Sequence, residues 1–317
     1  MILSKDTTTA MKGLLILLIV IGHNHEIAPE NSSLMSWLYS FHVLVFFILP
    51  FFYAKSEKNQ SFSYILTLIV RNWVPYSFTT MVALLSTVFY KGAVCVDRNT
   101  LFAFLNGSTS MTGGVLGAIF LWFLPTFCSF SILILLANRY RWLKPILFLA
   151  GLICWGLSWS QFEWLKIHTL FGIPMAVKCY SLGLLAKYIV YNRWSVILGS
   201  LLFIVLSVLH FSQITSAYSA IIWPISAFCC MLLFQKALHC RLFLCLGKYS
   251  LLIYLIHVFI YQFLNMVLPN SMLGAVLNLL LTLLLSGAIA WGIQRIYFLR
   301  KLYTPRNWGE FIIFFKR

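Results

Sequence analysis

The sequence predicts an all-α polytopic integral membrane protein of about ten transmembrane helices with both termini cytoplasmic, and three observations carry that prediction. First, 61% of the 317 residues are hydrophobic, 17% are aromatic and only 9% are charged, with a mean hydropathy of +0.90. A soluble domain carries about a quarter charged residues. Disorder, collagen and coiled coil are excluded too, because the polar surface, glycine period or heptads they require are missing. Second, apolar residues gather in runs of about 20, the length that crosses hydrocarbon about 30 Å thick. Third, the basic residues fall almost wholly on one side of the alternation these runs define.

The spans are read between charged or Pro/Asn/Ser-containing breaks. The first, 11–29, follows Lys5 and holds Lys12 at its start; its apolar stretch runs into His23-Asn24-His25-Glu26 and not into a small-residue cleavage site, so it reads as a retained helix and no signal peptide. The second, 34–54, starts after Asn31-Ser32-Ser33 and stops at Lys55. The third, 63–90, ends at Lys91, and the fourth, 115–137, ends at Asn138-Arg139. The fifth, 145–162, follows Lys144, and the sixth, 170–191, stops before Asn192-Arg193. The seventh, 195–211, and the eighth, 217–235, are separated by Ser212-Gln213. The ninth, 242–267, starts after Arg241, and the tenth, 272–294, ends at Arg295. No second domain, linker or low-complexity tract interrupts 1–317, and 295–317 reads as a basic, aromatic, cytoplasmic interfacial tail.

With the N-terminus inside, 19 of the 23 Lys and Arg lie on the inner side, three (Lys91, Arg98, Lys166) on the outer, and Lys178 within the sixth span. One missed helix would scramble this asymmetry. The net charge of +16 is therefore the signature of loops facing anionic lipid, and nucleic acid is not an expected partner. The longest outer loop, 92–114, carries Asp97, Arg98 and a Gly/Ser/Thr-rich stretch. The eight cysteines are scattered, without C-x-x-C or paired His spacing, so neither a disulfide framework nor a metal site is expected.

Ionisable groups in hydrocarbon mark candidate sites, because each costs several kcal/mol unless it faces protein or a water-filled cavity. His23 lies eleven residues beyond Lys12, about 16 Å along one helix. His42, on the returning second span, reaches similar depth. The short loop between the spans allows both imidazoles to share one outward-opening pocket with His25 and Glu26 at its rim. Histidine suits proton transfer near neutral pH, and a carboxylate can fix its tautomer. The competing reading is an interhelical hydrogen bond for His23 and a solvated helix end for His25 and Glu26. Arg71, four residues before Pro75, would make a phosphate-binding surface with Lys12, Lys55 and Lys58, or else snorkel to the headgroups. Ser250, Tyr254 and His257 recur at i, i+4 and i+7 on one helix face, which serves either catalysis or interhelical hydrogen bonding. Leu121-Trp122-Phe123-Leu124-Pro125 reads as packing with a proline kink.

Lys12-Gly13 followed by an apolar run to Gly22-His23 resembles the first helix of the membrane-bound acyltransferase 3 family, and more narrowly its fucose 4-O-acetylase-like sugar O-acetyltransferases. Phe41-His42, Arg71 with Pro75-Tyr76, Leu121 to Leu124 and Gly247 to His257 resemble further family motifs in the same order, over almost the whole chain. The chain departs from the family in Pro50-Phe51, in Leu68 where many members place a second arginine, in Lys12 instead of arginine, and in having no hydrolase-like domain after the tenth span.

The resemblance implies transfer of an acyl group, usually acetyl, from cytoplasmic acyl-CoA to a hydroxyl of a surface glycan or lipid-linked saccharide, in the bacterial cytoplasmic (inner) membrane. It implies catalytic roles for His23, His42 and Glu26, donor binding by Lys12 and Arg71, and a supporting polar face of Ser250, Tyr254, His257 and Trp122. No bound cofactor is expected: acetyl-CoA enters as a substrate, and membrane lipid is the surrounding partner. A transporter or glycan flippase would share the topology, but half-to-half repeats and paired helix interruptions are not evident. A purely structural membrane protein would use the same polar residues as interhelical contacts.

Overall fold

Backbone polar groups in a bilayer must be satisfied within the segment, and the chain does this with helices. The computed structural model describes residues 2–53, 62–91, 104, 107, 118–157, 170–214, 221–309 and 311; they are overwhelmingly helical and contain no strand. Five segments are long and apolar enough to cross a membrane: Ser33–Phe52, Phe120–Arg139, Arg193–Phe211, Ser250–Val267 and Met272–Arg295. Leu143–Leu157 and Ile222–Leu233 are shorter apolar helices. The chain is thus an all-helical integral membrane protein. Much of the 92–114 loop lies outside the described residues.

The chain divides into two units that are each discontinuous in sequence: 1–55 with 182–291, and 56–181 with 292–317. In the first unit, α1 (Lys5–Gly22) starts six residues before the expected span and stops seven before its expected end. Ser4 accepts from the Thr7 N–H at 3.1 Å and caps the start, while Asp6 sits favourably in the first turn. The stop lies at Gly22 because Asn24 takes over: its Oδ1 accepts from the N–H groups of Glu26 and Ile27, both at 3.2 Å, and folds 24–27 into a turn.

The expected second span is broken. α2 (Ser33–Tyr39) and α3 (His42–Ile48) are separated at Ser40-Phe41, and Pro50 then draws Leu49–Phe52 into a 3-10 turn. α2 runs antiparallel to α8 (Arg193–Phe211): Ser36 and Ser33 meet the His210 Nε2, the Trp37 Nε1–H donates to Ser207, and Phe41 packs on Phe203. α8 lies against α9 (Ile222–Leu233), where a Cβ on Gly199 would stand 2.5 Å from the Cys229 sulfur. A four-residue helix, α10 (Gln235–Leu238), follows.

The expected ninth span is also two helices, α11 (Arg241–Lys248) and α12 (Ser250–Val267), joined at Tyr249. α11 crosses α1 with backbone on backbone. A Cβ on Gly13 would lie 1.9 Å from the Phe243 carbonyl oxygen, and one on Gly247 would lie 1.7 Å from that of Thr9. On α13 (Met272–Arg295), Asn278, Thr282 and Ser286 form a buried stripe at i, i+4, i+8. Thr282 donates to the Asn278 Oδ1 at 2.9 Å, and the Asn278 amide donates to the Tyr261 carbonyl at 3.3 Å and to Asn265, which binds α12 to α13. Asn278→Ala is expected to lower stability by about 1 kcal/mol, read as a reduced melting temperature in detergent.

In the second unit, α4 (Phe62–Lys91) carries Pro75 without interruption. It packs on α5 (Phe123–Arg139), where the Cys128 thiol donates to the Leu68 carbonyl at 3.7 Å. Pro125 stands in the first turn of α5, where its missing N–H removes no helical bond, so the expected proline kink is instead a 3-10 turn, Ala118–Trp122, running into the helix. α6 (Leu143–Leu157) meets α7 (Ile173–Ile189) at Gly151, whose Cβ would collide with Ser181. Gly172, at φ 66°, lies against Thr126 where no side chain fits. The tail folds back on α4: in α14 (Tyr297–Tyr303) the Tyr303 ring meets Phe78 edge-on, and the Trp308 N–H donates to Thr67. This segment is anchored to α4 by ring packing and a hydrogen bond.

Candidate active site

His23 occupies the C-cap of α1, with its N–H on the Ile19 carbonyl at 3.0 Å, so the ring projects from a helix end that is itself held by the Asn24 turn. Asn24 is buried, and its amide donates to the Ala275 carbonyl at 3.1 Å, fixing this turn to α13. Two aromatic side chains, His257 and Tyr39, stand against His23. The His257 ring is 5.2 Å away between centroids, the Tyr39 ring is 6.2 Å away edge-on, and the Tyr39 hydroxyl is 3.5 Å from the His23 Nδ1. Tyr39 also stands edge-on to His42 at 4.9 Å, so it is the link between the two histidines singled out from the sequence.

Two of the imidazoles have their tautomers set by the backbone. The His42 Nδ1–H donates to the Leu38 carbonyl one turn back. The His257 Nδ1–H donates to the carbonyls of Ile253 and Tyr254, at 3.1 and 2.8 Å. Each ring therefore carries its lone pair on Nε2 when neutral. His42 and His257 are almost wholly buried, whereas His23 is half-buried. His23 is thus the accessible imidazole of the three, with the other two behind it. When its Nδ1–H donates to the Tyr39 oxygen, its Nε2 is left as a base.

The other expected site residues are placed as follows. Tyr254 supports His257 at 6.3 Å between rings, and the stripe continues one step further to Tyr261, whose hydroxyl accepts from the His25 N–H at 3.1 Å. Ser250 opens α12, about 10 Å along the axis from His257, and so stands apart from the rings. The Glu26 main chain belongs to the Asn24 turn, and its carboxylate makes no hydrogen bond to His23 or His42 among the described residues. Lys12 is half-buried with its Nζ 5.6 Å from the Tyr53 ring centroid, a cation–π arrangement. Arg71 and Trp122 belong to the second unit, where Arg71 is exposed and Trp122 is half-buried at the start of α5. Among the described residues no group of three His, Cys, Asp or Glu is arranged to hold a metal ion.

Tyr39, Tyr261 and Asn24 are the members of this site that the sequence reading missed. Tyr261 follows His257 by four residues on the same helix, so helical spacing contained it, whereas Tyr39 ends one helix and His42 opens the next. Asn24 adjoins His23 and has the side chain suited to closing a helix end.

Fold and site together define a helical membrane protein with a partly accessible histidine backed by two buried ones and a tyrosine. Residues 9–293 match the acyltransferase 3 family, described as an acyltransferase domain, and the chain belongs to that family of membrane acyltransferases. No curated protein and no solved structure matches it.

Tyr39→Phe removes the hydroxyl facing the His23 Nδ1 and keeps the ring. The expected result is a roughly tenfold lower kcat for acyl transfer with KM unchanged for both substrates, about 1.4 kcal/mol of lost positioning. A rise in KM with unchanged kcat would assign Tyr39 to binding.

Proposed function

We propose that the protein is an O-acyltransferase, by preference an O-acetyltransferase, that moves the acyl group of cytoplasmic acyl-CoA to a sugar hydroxyl of a cell-surface polysaccharide or its lipid-linked precursor in the bacterial inner membrane. The observation that carries this reading is the His23 ring, half-buried at the end of α1 against Tyr39 and His257. Its place on the helix also favours the reading. Lys12, one residue before the Gly13 crossing, is eleven residues from His23, about 16 Å, or half of a hydrocarbon layer about 30 Å thick. A donor held by its phosphates at Lys12 thus extends its thioester arm along α1 toward the imidazole, over a distance suited to chemistry near mid-membrane.

In the step we assign, the His23 Nε2 takes the proton of the acceptor hydroxyl as the oxygen attacks the thioester carbonyl. The C–O bond forms, the C–S bond breaks with its electron pair on sulfur, and the imidazolium returns the proton to the departing CoA thiolate. Tyr39 orients the ring, and His42 and His257 form its buried wall. Glu26 keeps only an indirect role, through the turn it shares with Asn24. Donor binding by Arg71 rests on the motif resemblance. The test is transfer of label from acetyl-CoA, radiolabelled in the acetyl group, into base-labile glycan ester by membranes containing the protein. Label that requires the protein supports the reading, and none, with the protein inserted and host glycan present, overturns it.

A further inference from the structure

The turn that carries His23 meets α12 at a second residue, Tyr261, to which the transfer step gives no role. The contacts follow one order along both chains: Gly247, at the end of α11, lies against Thr9 and Gly13, His257 lies against the His23 ring, and Tyr261 lies against His25. α1 and α12 therefore run side by side in the same direction. Tyr261 stands about 6 Å along the axis beyond His257, on the side of the imidazoles away from Lys12.

The Tyr261 side chain is fixed and its hydrogen bonding is incomplete. The residue is 8% exposed, its carbonyl accepts from the Asn278 amide at 3.3 Å, and its hydroxyl oxygen accepts from the His25 N–H at 3.1 Å. An oxygen that accepts from an amide directs its own proton elsewhere. Among the described residues no atom accepts that proton, although a buried tyrosine hydroxyl ordinarily has a partner. The bond from His25 also strengthens the hydroxyl as a donor, because hydrogen bonds in a chain polarise one another. His25 is exposed and His23 half-buried, so this donor stands at the accessible side of the ring cluster.

We propose that the Tyr261 hydroxyl donates to a second oxygen of the acceptor sugar while His23 takes the proton of the reacting hydroxyl, which makes Tyr261 a specificity-determining residue for the acceptor. The inference rests on the acyltransferase reading. With the donor held at Lys12, the acceptor approaches His23 from the opposite end of α1, and Tyr261 stands at that end. The offset of about 6 Å between His257 and Tyr261 is close to the span of one sugar ring, so an acceptor with a single hydroxyl does not reach both His23 and Tyr261.

The test compares transfer of label from acetyl-CoA to two acceptors, solubilised host glycan and methanol, by the full chain. Tyr261→Phe keeps the ring and is expected to raise the KM for glycan about tenfold, the worth of one hydrogen bond made both before and during the reaction. The kcat, the donor KM and transfer to methanol stay within about twofold, and the melting temperature within about 4 °C. Tyr39→Phe, which acts on the base, lowers transfer to both acceptors together and marks the opposite pattern. A common fall for glycan and methanol in Tyr261→Phe would assign the hydroxyl to holding the His25 turn, and a raised donor KM would assign it to the donor. Either result overturns the proposal, as does an unchanged KM for glycan. Where the wild type acylates glycan but not methanol, a rise in glycan KM at constant kcat supports the proposal, and a fall in kcat at constant KM overturns it. A wild type that acylates neither overturns the acyltransferase reading and this inference with it.

Discussion

His23→Ala is expected to lower acetyl transfer by a factor between about 10² and 10⁴, the range over which a positioned acid–base group acts, while expression, insertion and melting temperature stay close to wild type. Stability should be spared because His23 is a half-buried helix cap held by its own backbone N–H, and the fixed part of the turn is the neighbouring Asn24. The loss should fall in kcat. An alanine leaves the Lys12 end of α1 intact, about 16 Å away, so the donor KM stays within about twofold, the pattern of a group that acts mainly in the transition state. His257→Ala separates chemistry from packing, since it removes a fully buried ring whose Nδ1–H holds two carbonyls of its own helix, and it should lower both the melting temperature and kcat. Full transfer by a correctly inserted His23→Ala removes this residue from the mechanism.

The sequence made the helices legible because hydropathy reports the cost of transfer from water, and that cost falls on whole runs of residues. It did not show where the helices break. Ser40-Phe41 and Tyr249 lie inside apolar runs whose hydropathy is continuous, yet the backbone turns there, and it is this turn that sets α3 and His42 off from α2. Nor did periodicity show that residues 1–55 fold with 182–291, because the pairing of α1 with α11 rests on two glycines more than 200 residues apart, where the signal is the absence of a side chain. The site was legible to the extent that it followed helical spacing. His257 was found on a stripe, and Tyr261 lay on the same stripe. Tyr39 was missed because its partner, His23, sits across a loop on another helix. Glu26 was assigned to the site by proximity in sequence, but its place is fixed by the Asn24 side chain, a local preference that a search for charged partners does not register.

The second large effect is structural and concerns the crossing that positions α1. At Gly13 and Gly247 the helices approach so closely that added Cβ atoms would lie 1.9 and 1.7 Å from carbonyl oxygens of the facing backbone. Backbone cannot rotate aside as a side chain can, so even alanine must push α1 and α11 apart. Gly13→Ala and Gly247→Ala are each expected to cost about 3 kcal/mol, the upper end for overpacked cores, despite the gain in helix propensity of about 1 kcal/mol that alanine offers over glycine in a helix interior. Thermal unfolding in detergent measures the cost. Separation of the helices also reaches function, because α1 carries Lys12 and His23 while α11 leads through Tyr249 into the helix of His257. In variants that still fold at low temperature, kcat should therefore fall before donor KM rises, since the 5.2 Å contact between the His23 and His257 rings depends on both helices and Lys12 depends on α1 alone. Gly287→Ala supplies the contrast: it is a helical glycine on α13 whose added carbon, among the described residues, meets no atom within 4 Å beyond its chain neighbours and its own helix backbone, so the same change should raise stability or leave it unaltered. If Gly13→Ala behaves like Gly287→Ala, the helices do not cross at this distance, and the alignment of the two histidines must have another cause.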